Sequence, residues 1–438
     1  MPPCNLANAS SSKQSGKGAP VTDPAGSTSD RGATIDPAQT YGYARPAQRQ
    51  EEFEQAVAQL HSSDGWSPSP SGPKELVADL ALEGGGVKGI AIVGAVSVLS
   101  EAGYRFPRVA GTSAGAIAAT LIAAISKAGK PMSSLKGYLD GLSFKKFMPE
   151  GKIHLFLDQH LGKAGGVLSD AEILSHRMGL YPGDYLAEWL GPILQNDLGV
   201  RTFADLKITP EEDPHMSLPE NRRYRLVVHT SDITRGELAR LPWDYNYYGQ
   251  DRDTQEVVRA VRASMSIPFF FEPVTFDALA ADVDVPLPGG GSVTTHYDAG
   301  TVTWVDGGML RNFPIDAFAR IDGEPPRWPT IGIKLSSLQT SFGASKAATS
   351  AFHVARSCLS TMMNEWDAYN VDESTAARTI FVDNAGLTAT DFDLTTAQQN
   401  QLFLNGVDAA TTFLIAMGGR GRVPRSAQEG RELFSSTT

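Results

Sequence analysis

The sequence predicts an α/β protein built around a largely parallel, buried sheet. Short apolar runs alternate with stretches of helical spacing, and glycines gather where the apolar runs end. The chain also has the material for a large core: 41% of its 438 residues are hydrophobic, enough for one large or two ordinary domains. The only cysteines, Cys4 and Cys358, are too far apart to suggest a disulfide scaffold or a metal-ligand spacing. With 38 basic and 49 acidic residues the net charge is −11. That balance argues against a nucleic-acid module and against strong electrostatic docking on anionic lipid.

Taken in order, residues 1–50 carry few large apolar side chains beyond Leu6, Val21, Ile35, Tyr41 and Tyr43, so this stretch reads as disordered. Phe53, Val57 and Leu60 fall at helical spacing and predict one short amphipathic helix, followed by a Pro/Ser linker from Ser67 to Pro73. The expected organisation is therefore a leader over 1–73, one folded domain over 74–425 and a flexible tail over 426–438. Leu76–Leu82 is a buried strand ended by three glycines, Val87–Leu99 a helix, Arg108–Ala110 a second strand and Ala114–Lys127 an Ala-rich helix. A capping box at Ser169-Asp170-Ala171-Glu172 opens another helix. Later strands are expected at 224–229, 330–335 and 379–382, and later helices at 255–264, 350–369 and 396–417. The most apolar run, Ala114–Ile125, is short of the roughly 20 residues that span a bilayer. The start lacks the pattern of a secretory signal, so a cytoplasmic protein is expected.

Three strand ends carry the chemistry. Gly84-Gly85-Gly86-Val87-Lys88-Gly89 fits G-x-G-x-x-G. A dinucleotide site also needs an acidic residue at the end of the next strand, and Ala110-Gly111-Thr112-Ser113 provides none. What remains is a row of backbone N–H groups at a helix start, suited to an anion or a transient oxyanion, or simply a tight turn. Gly111-Thr112-Ser113-Ala114-Gly115 is G-x-S-x-G between strand and helix, the arrangement that presents a serine nucleophile above a sheet. A serine N-cap would look the same. In Trp304-Val305-Asp306-Gly307-Gly308-Met309 an aspartate ends an apolar stretch and two glycines let the chain turn sharply, placing a carboxylate where it can reach a hydroxyl. An ordinary Asp-Gly turn is the plainer alternative. None of the histidines after Ser113 (His154, His160, His176, His215, His229, His296 and His353) lies in a Gly-bounded loop near the C-terminus, where a triad histidine is presented.

These three motifs, in this order, resemble the patatin-like phospholipases. Thr202-Phe203-Ala204-Asp205-Leu206, Ala263-Ser264-Met265-Ser266-Ile267-Pro268 leading into Phe269-Phe270-Phe271, and Asn312-Phe313-Pro314 are further similarities. The likeness spans about Leu76 to Leu335. Lys88 is a departure, since the family usually has arginine there, and lysine lacks the bidentate fork. The resemblance implies a three-layer sandwich with a central, mostly parallel sheet. It also implies a lipid acyl hydrolase using a Ser113–Asp306 dyad, with Gly84, Gly85, Gly86 and Val87, joined by Ala114, as oxyanion donors. Lys88, Gly89, Gly111, Gly115, Gly307 and Gly308 then support the motifs, and neither a metal nor a cofactor is required.

The implied substrate is a phospholipid or other glycerolipid, met by transient contact with a membrane surface through apolar residues. Trp243, Tyr245, Tyr247 and Tyr248 either rim an acyl pocket or, more commonly for such clusters, close a buried corner. Arg222, Arg223 and Arg225 read as a solvated strand edge. Two other classes stand beside this reading: a Ser-His-Asp α/β-hydrolase, and a non-catalytic anion or nucleotide module built on the Gly84–Gly89 loop.

Overall fold

The computed structural model describes residues 37–66, 74–147, 178–287, 291–320, 326–335, 361, 373–387, 389 and 391–435. The expected linker at 67–73, the capping box at Ser169–Glu172, the helix over 350–369 and the histidines at 154, 160, 176 and 353 lie outside these residues.

The described residues form fourteen strands, in chain order β1 (Leu76–Val77), β2 (Asp79–Leu82), β3 (Tyr104–Arg105), β4 (Val109–Thr112), β5 (Gly179–Tyr181), β6 (Leu226–Asp232), β7 (Glu237–Leu241), β8 (Phe269–Phe271), β9 (Val274–Ala278), β10 (Ala281–Pro286), β11 (Ser292–Tyr297), β12 (Gly300–Asp306), β13 (Thr330–Lys334) and β14 (Thr379–Phe381). The main sheet has the order β14-β13-β2-β4-β6-β12-β9, with β7 added on β6. From β14 to β6 the strands are parallel, while β7 and β12 run antiparallel to β6 and β9 antiparallel to β12. Every residue of β2, β4, β6 and β13 is buried. Both faces of the sheet's centre are therefore covered, which is why these strands read as unbroken apolar runs rather than alternating ones.

One detail of this register positions the site. Thr112 pairs with His229 and Asp306 with Thr230, while β7 pairs both residues of β6 from the other side through Arg240 and Ala239. A strand has only two edges, so β4 and β12 share one edge of β6 and meet end to end. The residue after β4 is Ser113; the residue ending β12 is Asp306.

The expected helix starts hold closely at Ala114–Lys127, Val257–Ser264 and Thr396–Arg420, while the first opens as a 3₁₀ turn at Gly86–Gly89 before Ile90–Glu101. The domain boundaries need correction. The packed body begins at Pro37, not Lys74. The helix Ala47–Ser63 buries Phe53, Ala56 and Leu60 against the rest of the protein, and Tyr41 and Tyr43 are buried as well. Arg45 pairs with Glu101 at 2.6 Å, both side chains almost fully covered, and its guanidinium lies 4.0 Å from the Phe53 ring centre. A count of aliphatic residues misses this anchor because it is made of two tyrosines and one arginine. Nor is 426–438 a plain tail: Ala427–Ser435 is helical.

Thr396–Arg420 is long and apolar enough to cross a bilayer, contrary to the expectation that no segment reaches that length. Here it is a core helix. It buries Leu402, Phe403, Val407, Ala410, Phe413, Leu414 and Met417. It also crosses Ile90–Glu101 so closely that a Cβ on Gly94 would sit 2.0 Å from the Phe403 carbonyl oxygen, and one on Gly406 2.0 Å from that of Ala91.

Candidate active site

Ser113 occupies the turn between β4 and the helix Ala114–Lys127 with φ 53° and ψ −125°, a strained region for a residue with a side chain. Close packing explains the flanking glycines. A Cβ on Gly111 would lie 2.3 Å from the Gly115 carbonyl oxygen, and one on Gly115 2.3 Å from that of Leu82. The Ser113 backbone N–H donates to Ser264 Oγ at 2.9 Å, a bond buried on both sides. Sequence reasoning gave Ser264 no role; the only signal was its place in the small-residue turn that follows the helix Val257–Ser264.

Asp306 is fully buried. Its backbone N–H donates to the Ser266 carbonyl at 2.9 Å, so one turn, 264–266, ties down both members of the pair. Asp306 Oδ1 accepts from the Gly308 N–H at 2.7 Å, while Oδ2 is buried without a hydrogen-bond partner among the described residues. Burial pushes the carboxyl up to about 7 from an ordinary 3.8, against the opposing pull of the Ser113 hydroxyl and the Gly308 N–H. The serine hydroxyl thus acts on the carboxyl's proton affinity, although Oδ2 accepts no formed hydrogen bond from it. Gly307 packs on the His229 backbone, where a Cβ would come 2.3 Å from the carbonyl oxygen. Thr112 Oγ1 donates to the Arg311 carbonyl at 3.0 Å and stitches the two motifs together.

The glycine loop abuts the serine, since a Cβ on Gly84 would be 3.0 Å from Ser113 Cβ. Two of the five expected oxyanion donors are already committed. The Gly84 N–H donates to the Asn312 carbonyl at 3.1 Å and the Val87 N–H to the Ala389 carbonyl at 3.2 Å. Asn312 also donates from Nδ2 to the Gly84 carbonyl at 3.0 Å, clamping that residue from both sides. Among the described residues this leaves Gly85 and Gly86, together with Ala114 at the helix start, as N–H groups with no backbone acceptor. Gly86 has φ +55°, and a Cβ there would run into the Ala389 carbonyl. Gly89 meets Ala114 at the crossing of the two helix starts.

Lys88 does not line the cavity beside Ser113. Its Nζ reaches the Leu335 carbonyl at 3.5 Å, and burial holds the ammonium below its usual range despite the pull of Glu83. Glu83 is itself buried, bonded to Lys334 Nζ and to the Leu335 N–H. Lys88 is thus part of the loop's foundation, where a bidentate fork has no partner to match.

An apolar cavity of about 50 Å³ opens beside Ser113. Its walls include Ile117, Leu142, Phe144, Phe147, Phe271 and Phe392. The aromatic cluster at 243–248 takes no part: Tyr245 and Tyr248 are buried against Trp304, and Trp243 is buried against Phe318. The one histidine on these central strands among the described residues, His229, is fully buried with neither ring nitrogen bonded. Burial pushes it down to about 3, with Arg240 and Arg311 as its charged neighbours, so it is neutral.

A family model described as Patatin-like phospholipase matches residues 80–319 of the 438. The uncharacterized protein YqhO of Bacillus subtilis (strain 168) is 35% identical over 326 residues, covering 74% of this chain and 93% of that protein. Among solved structures, VipD from Legionella pneumophila aligns over 79% of this chain and 68% of its own at 17% identity, TM-score 0.38. The ExoU–SpcU complex of the Pseudomonas aeruginosa type III secretion system aligns over 83% and 59% at 15% identity, TM-score 0.36.

Proposed function

The chain belongs to the patatin-like phospholipase family, and on that premise we propose that it is a phospholipase A-type lipid acyl hydrolase that cleaves carboxylic esters of membrane glycerolipids. Ser113 Oγ attacks the ester carbonyl while its proton passes to Asp306 Oδ2. The N–H groups of Gly85, Gly86 and Ala114 hold the oxyanion; one such donor is typically worth about 3 kcal/mol. The intermediate collapses as Asp306 returns the proton to the departing lysolipid oxygen, leaving the acyl chain on Ser113. Water then attacks the acyl-enzyme, Asp306 takes its proton, and the fatty acid leaves as Ser113 is restored.

The observation that carries this reading is the single unpartnered, buried carboxylate oxygen of Asp306 beside a strained serine. A base pushed up to about 7 is also better matched to a hydroxyl than an ordinary aspartate. The enzyme works from the cytoplasm and meets lipid transiently. Met178, just before β5, and Phe269, at the start of its partner strand β8, are exposed and supply the apolar contact next to the cavity residue Phe271. The deciding test is mass spectrometry of the products formed from a mixed lipid extract by wild type and Ser113→Ala. Free fatty acid and lysophospholipid from wild type alone are expected; identical products from both proteins remove the assignment.

A further inference from the structure

A large second cleft lies at the opposite end of the sheet. Ser113 and Gly84 follow the C-terminal ends of β4 and β2, whereas the cleft is lined by residues that precede strands: Arg108 before β4, Arg222 before β6 and Trp328 before β13. It is separated from the serine by the length of β4, about 13 Å for four residues.

Its chemistry is that of an acceptor's binding site. Arg222 lines the cleft half-buried, its guanidinium 4.4 Å from the Trp243 ring centre, with no ion pair or hydrogen bond among the described residues. The carboxylate nearest to it, Asp244, is already bidentate to Arg240 at 2.9 and 3.2 Å. Burial, together with the proximity of Arg240, holds the Arg222 guanidinium below its usual range. The indole N–H groups of Trp243 and Trp328 are buried without acceptors in the same wall, both residues being more than nine-tenths covered. Two further carboxylates reach the cleft, and both are engaged: Asp316 with Arg311 at 3.5 Å and Asp284 with Thr294. A guanidinium brought this far out of water without an acceptor is costly. A phosphate dianion supplies the acceptor that Arg222 lacks, and the aromatic wall suits the organic body that carries it.

We propose that the Arg222–Trp243–Trp328 cleft is a second binding site, separate from the Ser113 cavity, for a phosphate monoester. Such a group is carried both by soluble phosphorylated metabolites and by lipid headgroups.

The test is calorimetric titration of the full chain with inorganic phosphate and with adenosine 5′-monophosphate, alongside co-sedimentation with phosphatidylcholine vesicles with and without phosphatidic acid. Saturable binding of at least one of these phosphate-bearing probes is expected, weakened about tenfold or more by Arg222→Met. Trp243→Phe, which keeps an aromatic face beside Arg222 while removing the indole N–H, is a second, milder variant and is expected to weaken binding severalfold. Binding of the soluble compounds alone identifies a metabolite site, and binding confined to phosphatidic acid vesicles identifies a headgroup site; either supports the proposal. No saturable binding in any arm, or binding unchanged in both variants, overturns it.

Discussion

Ser113 and Ser264, 151 positions apart, are joined by a buried hydrogen bond in which the backbone N–H of the first donates to the Oγ of the second at 2.9 Å. The bond fixes the strained φ of the nucleophile turn from outside the motif. Removing the acceptor in Ser264→Ala leaves a buried N–H unpaired, at about 1–3 kcal/mol. Both a lower melting temperature and slower labelling of Ser113 by a fluorophosphonate are expected. Ser264→Thr, which keeps the hydroxyl, is expected to recover part of the labelling rate at equal or lower stability, an outcome that packing alone does not give.

Asp306 links activity and stability to pH in opposite senses. The base must be ionised, so kcat/KM is expected to rise with pH to a plateau above about 7, and Asp306→Asn to lose at least a thousandfold. In stability the sign reverses. The folded-state value is raised above the unfolded one, so ionisation is penalised in the fold; that penalty is full above about 7 and gone below about 3.8. The gap corresponds to about 4 kcal/mol at 1.36 kcal/mol per pH unit. Asp306→Asn is therefore expected to be more stable than wild type at alkaline pH, with the advantage fading toward pH 4. Urea denaturation at several pH values measures it, and a variant equally destabilised throughout contradicts the assignment.

Two glycine-to-alanine changes separate packing from propensity. At Gly115 the new methyl meets the Leu82 and Glu83 carbonyl oxygens at 2.3 and 2.7 Å, so β2 itself has to move. A loss of about 3 kcal/mol or more is expected, with the elbow distorted and labelling abolished. Gly137, in the helix Ser134–Asp140, has nothing within 4 Å of that position. There alanine is expected to add about 0.5–1 kcal/mol. Thermal melts of the pair give both signs in one experiment.

Phe269 is 40% exposed at φ 68°, an uncommon conformation for a large apolar residue facing water. If it inserts into lipid, Phe269→Ser forfeits about 1.5 kcal/mol or more of burial, about tenfold in vesicle partitioning. With a net charge of −11, binding to neutral vesicles is expected to change little with added salt. Flotation at low and high salt checks both; a strong salt dependence contradicts an apolar contact.

The sequence disclosed the strand ends better than their relations. Gly111, Ser113, Gly115 and the Asp306-Gly307-Gly308 turn are where the motifs put them, because local sterics dictate small residues at close backbone approaches. The shared edge of β6 was not legible: it depends on two strands meeting a third from opposite directions, which no local pattern encodes. Hence the roles of Ser264 and Asn312 were missed, and Gly84 and Val87 were counted among the oxyanion donors although tertiary acceptors occupy them. The anchor at Tyr41, Tyr43 and Arg45 escaped for another reason, since composition measures aliphatic content and this contact is aromatic and cationic.

Phe392 joins the cavity from outside the segment matched by the family model. Its ring stacks on Phe270 at 5.1 Å and lies 6.2 Å from Phe147, forming part of an aromatic wall. A wall of this kind selects among acyl chains by excluding volume, an effect worth about 1–3 kcal/mol per methylene that fits or does not. Phe392→Ala is expected to widen the cavity, shift preference toward longer or branched acyl groups by about tenfold in kcat/KM ratio, and leave the Ser113 labelling rate with a short, unhindered probe near that of wild type. A series of p-nitrophenyl esters of increasing chain length measures the shift. An unchanged ratio across the series places the acyl chain elsewhere than in this cavity.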